Sequence, residues 1–348
     1  MTAMKHKVLY LRSVILARLW GAIRSDRFGY FTSKEFEVQM LIAETGFFRK
    51  LNRSILLIIS LSILSSCADE LSSSFKKSLS IVTPKKVDFK ELEYYAKRSK
   101  SAYDPTQDIR KTYPLVTRAV TLQSIDVRYF IETNQAGRTQ TLSIRGTAVR
   151  ENVWEDIETT LSPDSILGIP LHSGFQRDAK AIYEDATPHL RKDFGLRITG
   201  HSLGGAAAAI LADYYEQEGY DIERVVTFGQ PKYTSKQPSK RVVSVSTRVV
   251  NELDVVPMVP AFTLAREYQH FDSEVILRDG LDYVYMSIHD AERLSAGEFW
   301  RHITDFSAKD HHMDGYLSNI EGKVSGGARQ VQYFSKVKRE SRNVAAFN

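Results

Sequence analysis

The sequence predicts an α/β fold with a largely parallel sheet, and three observations carry that prediction. Strand-like and helix-like segments alternate through the middle of the chain. One strand-like segment, LRIT, runs through a glycine-rich turn straight into a helix of small residues, GGAAAAILADYY. The chain has 348 residues, of which 43% are hydrophobic, so it is long enough to bury a sizeable core.

Taken in order, FKELEYYAKRSKSAY from Phe89 reads as a helix, with Leu92, Tyr95 and Ala96 at helical spacing. SIDVRYFIETN and TQTLSIRGT read as strands joined through NQAGR as a hairpin. ENVWEDIETTL is a short amphipathic element, and SILGIPLHSGF a further strand and turn. QRDAKAIYEDATPHLRKDF reads as a helix and LRITG as a short strand. GAAAAILADYYEQEG is a helix with its stop at Gly219. ERVVTFG and RVVSVSTRVV, both rich in Val, read as strands. From Gly326 the sequence turns polar and basic, as in a flexible or edge-pairing tail.

The formal net charge is +5, but residues 1–66 hold 10 of the 47 basic residues and 4 of the 42 acidic ones. The excess positive charge therefore belongs to the leader, and nothing in the remainder points to nucleic acid. The chain has a single cysteine, Cys67, which excludes an intramolecular disulfide and a cysteine-based metal cluster. Arg49, Lys50 and Arg53 precede an apolar run from Ile55 to Leu64, which ends in Ser65-Ser66-Cys67. That is the layout of a signal peptide, with a run too short to span a bilayer comfortably. LSSC resembles the bacterial lipobox, which implies acylation of Cys67 as a new N-terminus at a membrane surface. A buried free cysteine after a membrane anchor is the alternative. Ala68 follows the cysteine and Asp69 comes one place later, which by the sorting rules of such lipoproteins points to the outer membrane of a cell envelope.

The expected organisation is an N-terminal extension (1–39), a signal (40–66), a tether (67–88), a catalytic domain (89–325) and a tail (326–348). Met40 would give a more ordinary start to the signal, although VLYLRSVILARLWGAI also reads as an amphipathic basic segment.

The chemistry centres on Gly200-His201-Ser202-Leu203-Gly204. A serine on a sharp strand-to-helix turn has strained backbone angles, and glycines at positions 200 and 204 remove the collisions across it. A structural glycine-rich turn is the bland alternative. A serine hydroxyl needs a base, and the base an orienting acid. In the chain order Ser, acid, His, four of the nine histidines (His6, His172, His189 and His201) drop out. His270, His289, His302, His311 and His312 remain. Asp254 stands just past a Val-rich strand, where α/β active sites collect. Its alternative is a surface-loop aspartate. DHH at Asp310–His312 offers the base, although two adjacent histidines also suit a metal pair or a solvated loop.

Six motifs in order resemble the class 3, fungal-type triacylglycerol lipase family. They are RGT (145–147), HSGF (172–175), GHSLGG (200–205), TFGQP (227–231), DVVP (254–257) and DHHMDGY (310–316), within about Phe89 to Ile320. The resemblance implies an α/β-hydrolase fold with Ser202 as nucleophile, Asp254 as acid and His311, rather than His312, as base. It also implies an oxyanion hole from the backbone N–H groups of Thr147 and Leu203. Trp154 and Asp156 fall where relatives carry a lid helix, and Trp154 either covers the site or packs in the core. The implied reaction is ester hydrolysis, most simply of acylglycerols, with no cofactor and no metal. A phospholipase, a short-chain carboxylesterase, or a non-catalytic surface lipoprotein that binds a lipid or a partner are the alternatives.

Overall fold

The computed structural model describes residues 87–146, 160–260, 268–287 and 308–333. All lie in one compact unit, Leu79–Asn348, while a second unit, Met1–Ser78, lies outside them. Among the described residues the sheet has nine strands in the order β1-β2-β3-β6-β7-β8-β9-β10-β11. These are β1 (Val116–Leu122), β2 (Val127–Asn134), β3 (Thr139–Ile144), β6 (Gly195–His201), β7 (Asp221–Phe228), β8 (Ser246–Asn251), β9 (Ser273–Leu277), β10 (Asp282–Met286) and β11 (Arg329–Gln330). The short strands β4 (Leu161–Pro163) and β5 (Pro170–His172) pair separately.

The strands from β3 to β9 run parallel, while β1-β2-β3 and β9-β10 are antiparallel. A parallel strand flanked by helices is covered on both faces. Every residue of β8 is buried accordingly. On one face lie α3 (Ser173–Ala186) and α4 (Leu203–Gln217), whose Phe175, Ile182, Ile210 and Tyr214 pack on Ile131, Leu142 and Ile198. On the other lie α1 (Phe89–Ser101) and α6 (Met313–Gly326), whose Leu92, Tyr95, Tyr316 and Ile320 pack on Phe228, Val249 and Val275. Among the described residues the other α-helices are α2 (Thr106–Thr112) and α5 (Lys240–Val245). Asp88 caps α1, its side chain accepting from the N–H groups of Lys90 and Glu91. No described helix is long and apolar enough to cross a membrane.

Among the described residues the alternation expected from the sequence is present from the hairpin to β8, with two corrections. RVVSVSTRVV is not one strand: its first half is helix α5 and only Ser246–Asn251 is β8. Parallel neighbours need a crossover between them, and the chain uses this Val-rich stretch to finish the crossover from β7. Val242 and Val243 bury their side chains from the helix instead. The helix expected over QRDAKAIYEDATPHLRKDF stops at Ala186, short of Pro188, and gives way to a 3₁₀ turn at Thr187–His189. Residues 329 and 330 pair with β10 at the edge of the sheet, which is the edge-pairing form of the expected tail. Thr147, Trp154 and Asp156, the ENV–ETT element, His289, His302 and Cys67 lie outside the described residues.

Candidate active site

Three loops at the carboxyl ends of the parallel strands build the site, the usual location in an open α/β sheet. Ser202 joins β6 to α4 with φ 59° and ψ −129°, a backbone region that residues with a side chain rarely occupy. It is held there because its N–H donates to the Phe228 carbonyl at 2.9 Å and its own carbonyl accepts from Gly205 N at 2.8 Å. The glycines are steric necessities. A methyl on Gly200 would lie 2.2 Å from the Gly204 carbonyl oxygen, and one on Gly204 would lie 2.6 Å from that of Ile144. A wedge this tight turns the serine hydroxyl outward, and the positive end of α4 lies directly behind it.

His311 ends a 3₁₀ turn at Ala308–His311, just ahead of α6. Its Nε2 lies 2.8 Å from Ser202 Oγ and its Nδ1 lies 2.8 Å from Asp254 Oδ2. Asp254 follows β8 and is completely buried, whereas 15% of the His311 side chain is exposed. The relay is therefore open at the serine end and sealed at the acid end. Burial alone would push the Asp254 carboxyl upward. The His311 charge outweighs it, together with hydrogen bonds from His311, from Tyr316 Oη at 2.6 Å and from Val256 N at 2.9 Å, and the group is held below the ordinary carboxylate range. Asp254 thus stays ionised and fully hydrogen-bonded beside the imidazole.

The structure brings Ser202, Asp254 and His311 together. It turns His312 outward, exposed, at the N-cap of α6. His270 is buried elsewhere, donating from Nε2 to the Pro257 carbonyl at 2.6 Å. Leu203 is the first residue of α4, so its N–H has no intrahelical acceptor. Arg145, buried beside the turn, donates from Nε to the Gly146 carbonyl at 3.1 Å and pairs with Asp126 at 2.9 Å, which fixes the residues leading into position 147. Among the described residues no group of three His, Cys, Asp or Glu side chains is placed to hold a metal ion.

Two contributors escaped sequence reasoning. Tyr316, seen only as the end of DHHMDGY, donates to the acid from the first turn of α6. Gly229, seen only inside TFGQP, leaves the space in which Asp254 and His311 meet: a methyl there would lie 2.8 Å from Asp254 Oδ2 and 2.9 Å from His311 Nδ1. The signal for Gly229 was its place at the end of β7, next to the carbonyl that holds the serine.

A mostly parallel sheet flanked by helices, with a nucleophile elbow at the end of a central strand, is the α/β-hydrolase fold. Comparison with known proteins narrows the class further. Residues 141–264 match the family described as lipase (class 3). The chain is 30% identical over 132 residues to a lipase of Caenorhabditis elegans, covering 34% of this chain and 37% of that protein. It is 25% identical over 183 residues to the secreted mono- and diacylglycerol lipase 1 of Fusarium solani, covering 50% and 54%. It is 27% identical over 171 residues to phospholipase A1-Igamma2, chloroplastic, of Arabidopsis thaliana, covering 44% and 31%. The chain thus spans about a third to a half of the length of these relatives. In fold it is similar to lipase II from Rhizopus niveus, with a TM-score of 0.52 at 20% identity over 64% of this chain and 92% of that one. It is equally similar to the Rhizomucor miehei triacylglyceride lipase, with a TM-score of 0.50 at 20% identity over the same shares.

Proposed function

We propose that the protein is a serine hydrolase that cleaves carboxylic esters, with acylglycerols as its substrates. The observation that carries this reading is the continuous relay from Ser202 Oγ through His311 to Asp254, at 2.8 Å and 2.8 Å, on a strained elbow. His311 Nε2 takes the proton of Ser202 as Oγ attacks the ester carbonyl carbon. The imidazolium that forms is stabilised by the ionised Asp254. The Leu203 N–H receives the developing oxyanion, with Thr147 as the second donor that the family resemblance implies, a fixed donor being worth about 3 kcal/mol in the transition state. The tetrahedral intermediate collapses, the C–O bond to the alcohol breaks, and His311 returns the proton to the departing oxygen. Water, deprotonated by His311, then attacks the acyl-enzyme and releases the acid and free Ser202.

The acylglycerol assignment is supported by the relatives' names, since one acts on mono- and diacylglycerols. Another relative is a phospholipase A1, so head-group preference is the point to test. Release of fatty acid from a panel of tri-, di- and monoacylglycerols, phosphatidylcholine and p-nitrophenyl esters decides it. Acylglycerol turnover above all others supports the reading. Faster cleavage of phosphatidylcholine replaces it with a phospholipase, and no ester turnover at all removes it.

We further propose that Cys67 becomes a lipidated N-terminus that tethers the catalytic unit at a bacterial cell envelope, in the outer membrane. Supporting this are the basic residues, the apolar run and LSSC in series. Two or more acyl chains on one residue give stable anchoring, because each buried CH₂ contributes about 0.8 kcal/mol. Intact-mass analysis of the membrane-extracted protein checks this, and a mature chain lacking an acylated N-terminal Cys67 rejects it.

A further inference from the structure

We infer that Tyr103 and His201 form a hydrogen-bonded strut that fixes the base His311 against the Arg145–Gly146 backbone, and that both are positioning residues for the ester cleavage proposed above, on which this inference rests. Neither side chain belongs to the Ser202–His311–Asp254 relay. His201 is buried, and both of its ring nitrogens are engaged: Nδ1 lies 2.7 Å from Tyr103 Oη and Nε2 lies 2.7 Å from the His311 carbonyl oxygen.

The donors follow from the acceptors. A carbonyl oxygen only accepts, so His201 Nε2 carries a proton and donates it to His311. A neutral imidazole then has its lone pair on Nδ1, which requires a donor, and the Tyr103 hydroxyl is that donor. The hydroxyl oxygen keeps a lone pair, toward which the Gly146 N–H points. The chain of bonds therefore runs in one direction and selects one tautomer of His201. A doubly protonated ring would break it at Tyr103. Burial, and next the nearby His311, oppose that form and lower the His201 pKa to about 3.

The arrangement also closes a ring around the reacting pair. His201 is bonded through the backbone to Ser202, and its side chain grips the backbone of His311, whose ring meets Ser202 Oγ. The two imidazoles lie 4.6 Å apart, inclined by 32°. Nucleophile and base are thus tied twice, once through the hydrogen bond that reacts and once through one that does not. Tyr103 is itself anchored, since Arg128 Nη1 donates to its carbonyl at 3.0 Å. There is no slack at the Gly146 end. A methyl there would lie 2.7 Å from Tyr103 Oη, 2.6 Å from the His201 carbonyl oxygen and 2.9 Å from Ser202 Cβ.

Displacing a reacting group by about 1 Å costs on the order of a hundredfold in rate, which sets the expected effects. The test uses the full chain, with p-nitrophenyl butyrate kinetics and melting temperatures for Tyr103→Phe, His201→Leu, His201→Gln and the Tyr103→Phe/His201→Leu pair. The strut predicts that His201→Leu lowers kcat about a hundredfold and Tyr103→Phe about tenfold, with KM within about twofold of wild type. His201→Gln, whose amide N–H reaches the same carbonyl, recovers most of the rate. The double variant is no slower than His201→Leu alone, because the two residues act through one chain. A folded His201→Leu protein with wild-type kcat overturns the inference. So do effects that multiply in the double variant, or a His201→Gln protein no faster than His201→Leu. If His201→Leu does not fold, Tyr103→Phe decides alone, and an unchanged kcat there overturns the strut. Loss of the functional reading looks different: the wild type cleaves no ester, or Ser202→Ala cleaves it as fast as wild type.

Discussion

Tyr316 donates its hydroxyl hydrogen bond to Asp254 Oδ2 at 2.6 Å, the same oxygen that accepts the hydrogen bond of His311 Nδ1. The carboxylate thus divides its charge between two donors, an imidazole and a phenol that burial and Asp254 hold well above its ordinary range. Tyr316→Phe leaves more of that charge facing His311. One hydrogen bond to a buried charged group is lost, and the rate at neutral pH falls about tenfold. Asp254→Asn is far more severe, at about 10⁴ in kcat, because the orienting acceptor and the charge vanish together. A folded Tyr316→Phe protein that turns over at the wild-type rate would count against this division of charge.

Ser202→Ala removes the nucleophile and lowers kcat by about 10⁴ or more, with the melting temperature close to wild type. His311→Ala does the same, whereas His312→Ala, at the exposed start of α6, keeps most of the rate. Equal losses at positions 311 and 312 would mean that the base has been misassigned. Steady-state kinetics beside thermal melts read all three.

Gly229→Ala is expected to lower the rate at least about a hundredfold, because its methyl would wedge between acid and base. Its φ of +55° adds about 1–2 kcal/mol of strain. Gly219→Ala is the matched control. It too has a positive φ, +85°, but nothing within 4 Å of the added methyl. It loses stability and keeps its turnover. If both variants lose the same fraction of activity, backbone strain rather than the Asp254–His311 contact explains Gly229.

Stability carries a signature of His201. Its pKa in the folded protein, about 3, lies below its ordinary value of 6.5. The unfolded chain therefore binds the proton more readily, and stability present above pH 6.5 is lost as the pH falls from 6.5 toward 3. The slope is at most about 1.4 kcal/mol per pH unit. Asp272, raised to about 6 chiefly by burial, acts in the opposite sense over part of this window. The quantity to measure is thus the difference in unfolding free energy between wild type and His201→Gln at pH 7 and pH 4.5. It should shrink on acidification, and a constant difference would refute a buried neutral His201.

Much of the site was legible in the sequence because its parts are local. The elbow is a contiguous strand, glycine turn and helix, and Asp254 and His311 each sit in a short polar loop beside an apolar run. What was not legible is set by contacts between distant segments. Tyr316 reaches Asp254 across 62 positions, and Tyr103 reaches His201 across 98. His201 was set aside because chain order excludes it as the base, and order says nothing about a side chain that acts on another residue's carbonyl. The Val-rich run at 241–250 misled for a related reason. Val favours strands wherever it is half-buried, but the crossover to β8 had to be completed first, and half of the run was spent on α5.

The pairing of α1 with α6 over one face of the sheet sets the smallest piece of this protein that can work. The segment that matches the lipase family, 141–264, contains Ser202 and Asp254 but leaves out His311, which enters with α6, and Tyr103, which leaves with α1. Inherited likeness and chemical completeness therefore have different borders. A fragment trimmed to the matched segment would keep the elbow and lose both the base and the apolar cover of its sheet, so shortening from either end has to stop outside residues 89 and 333.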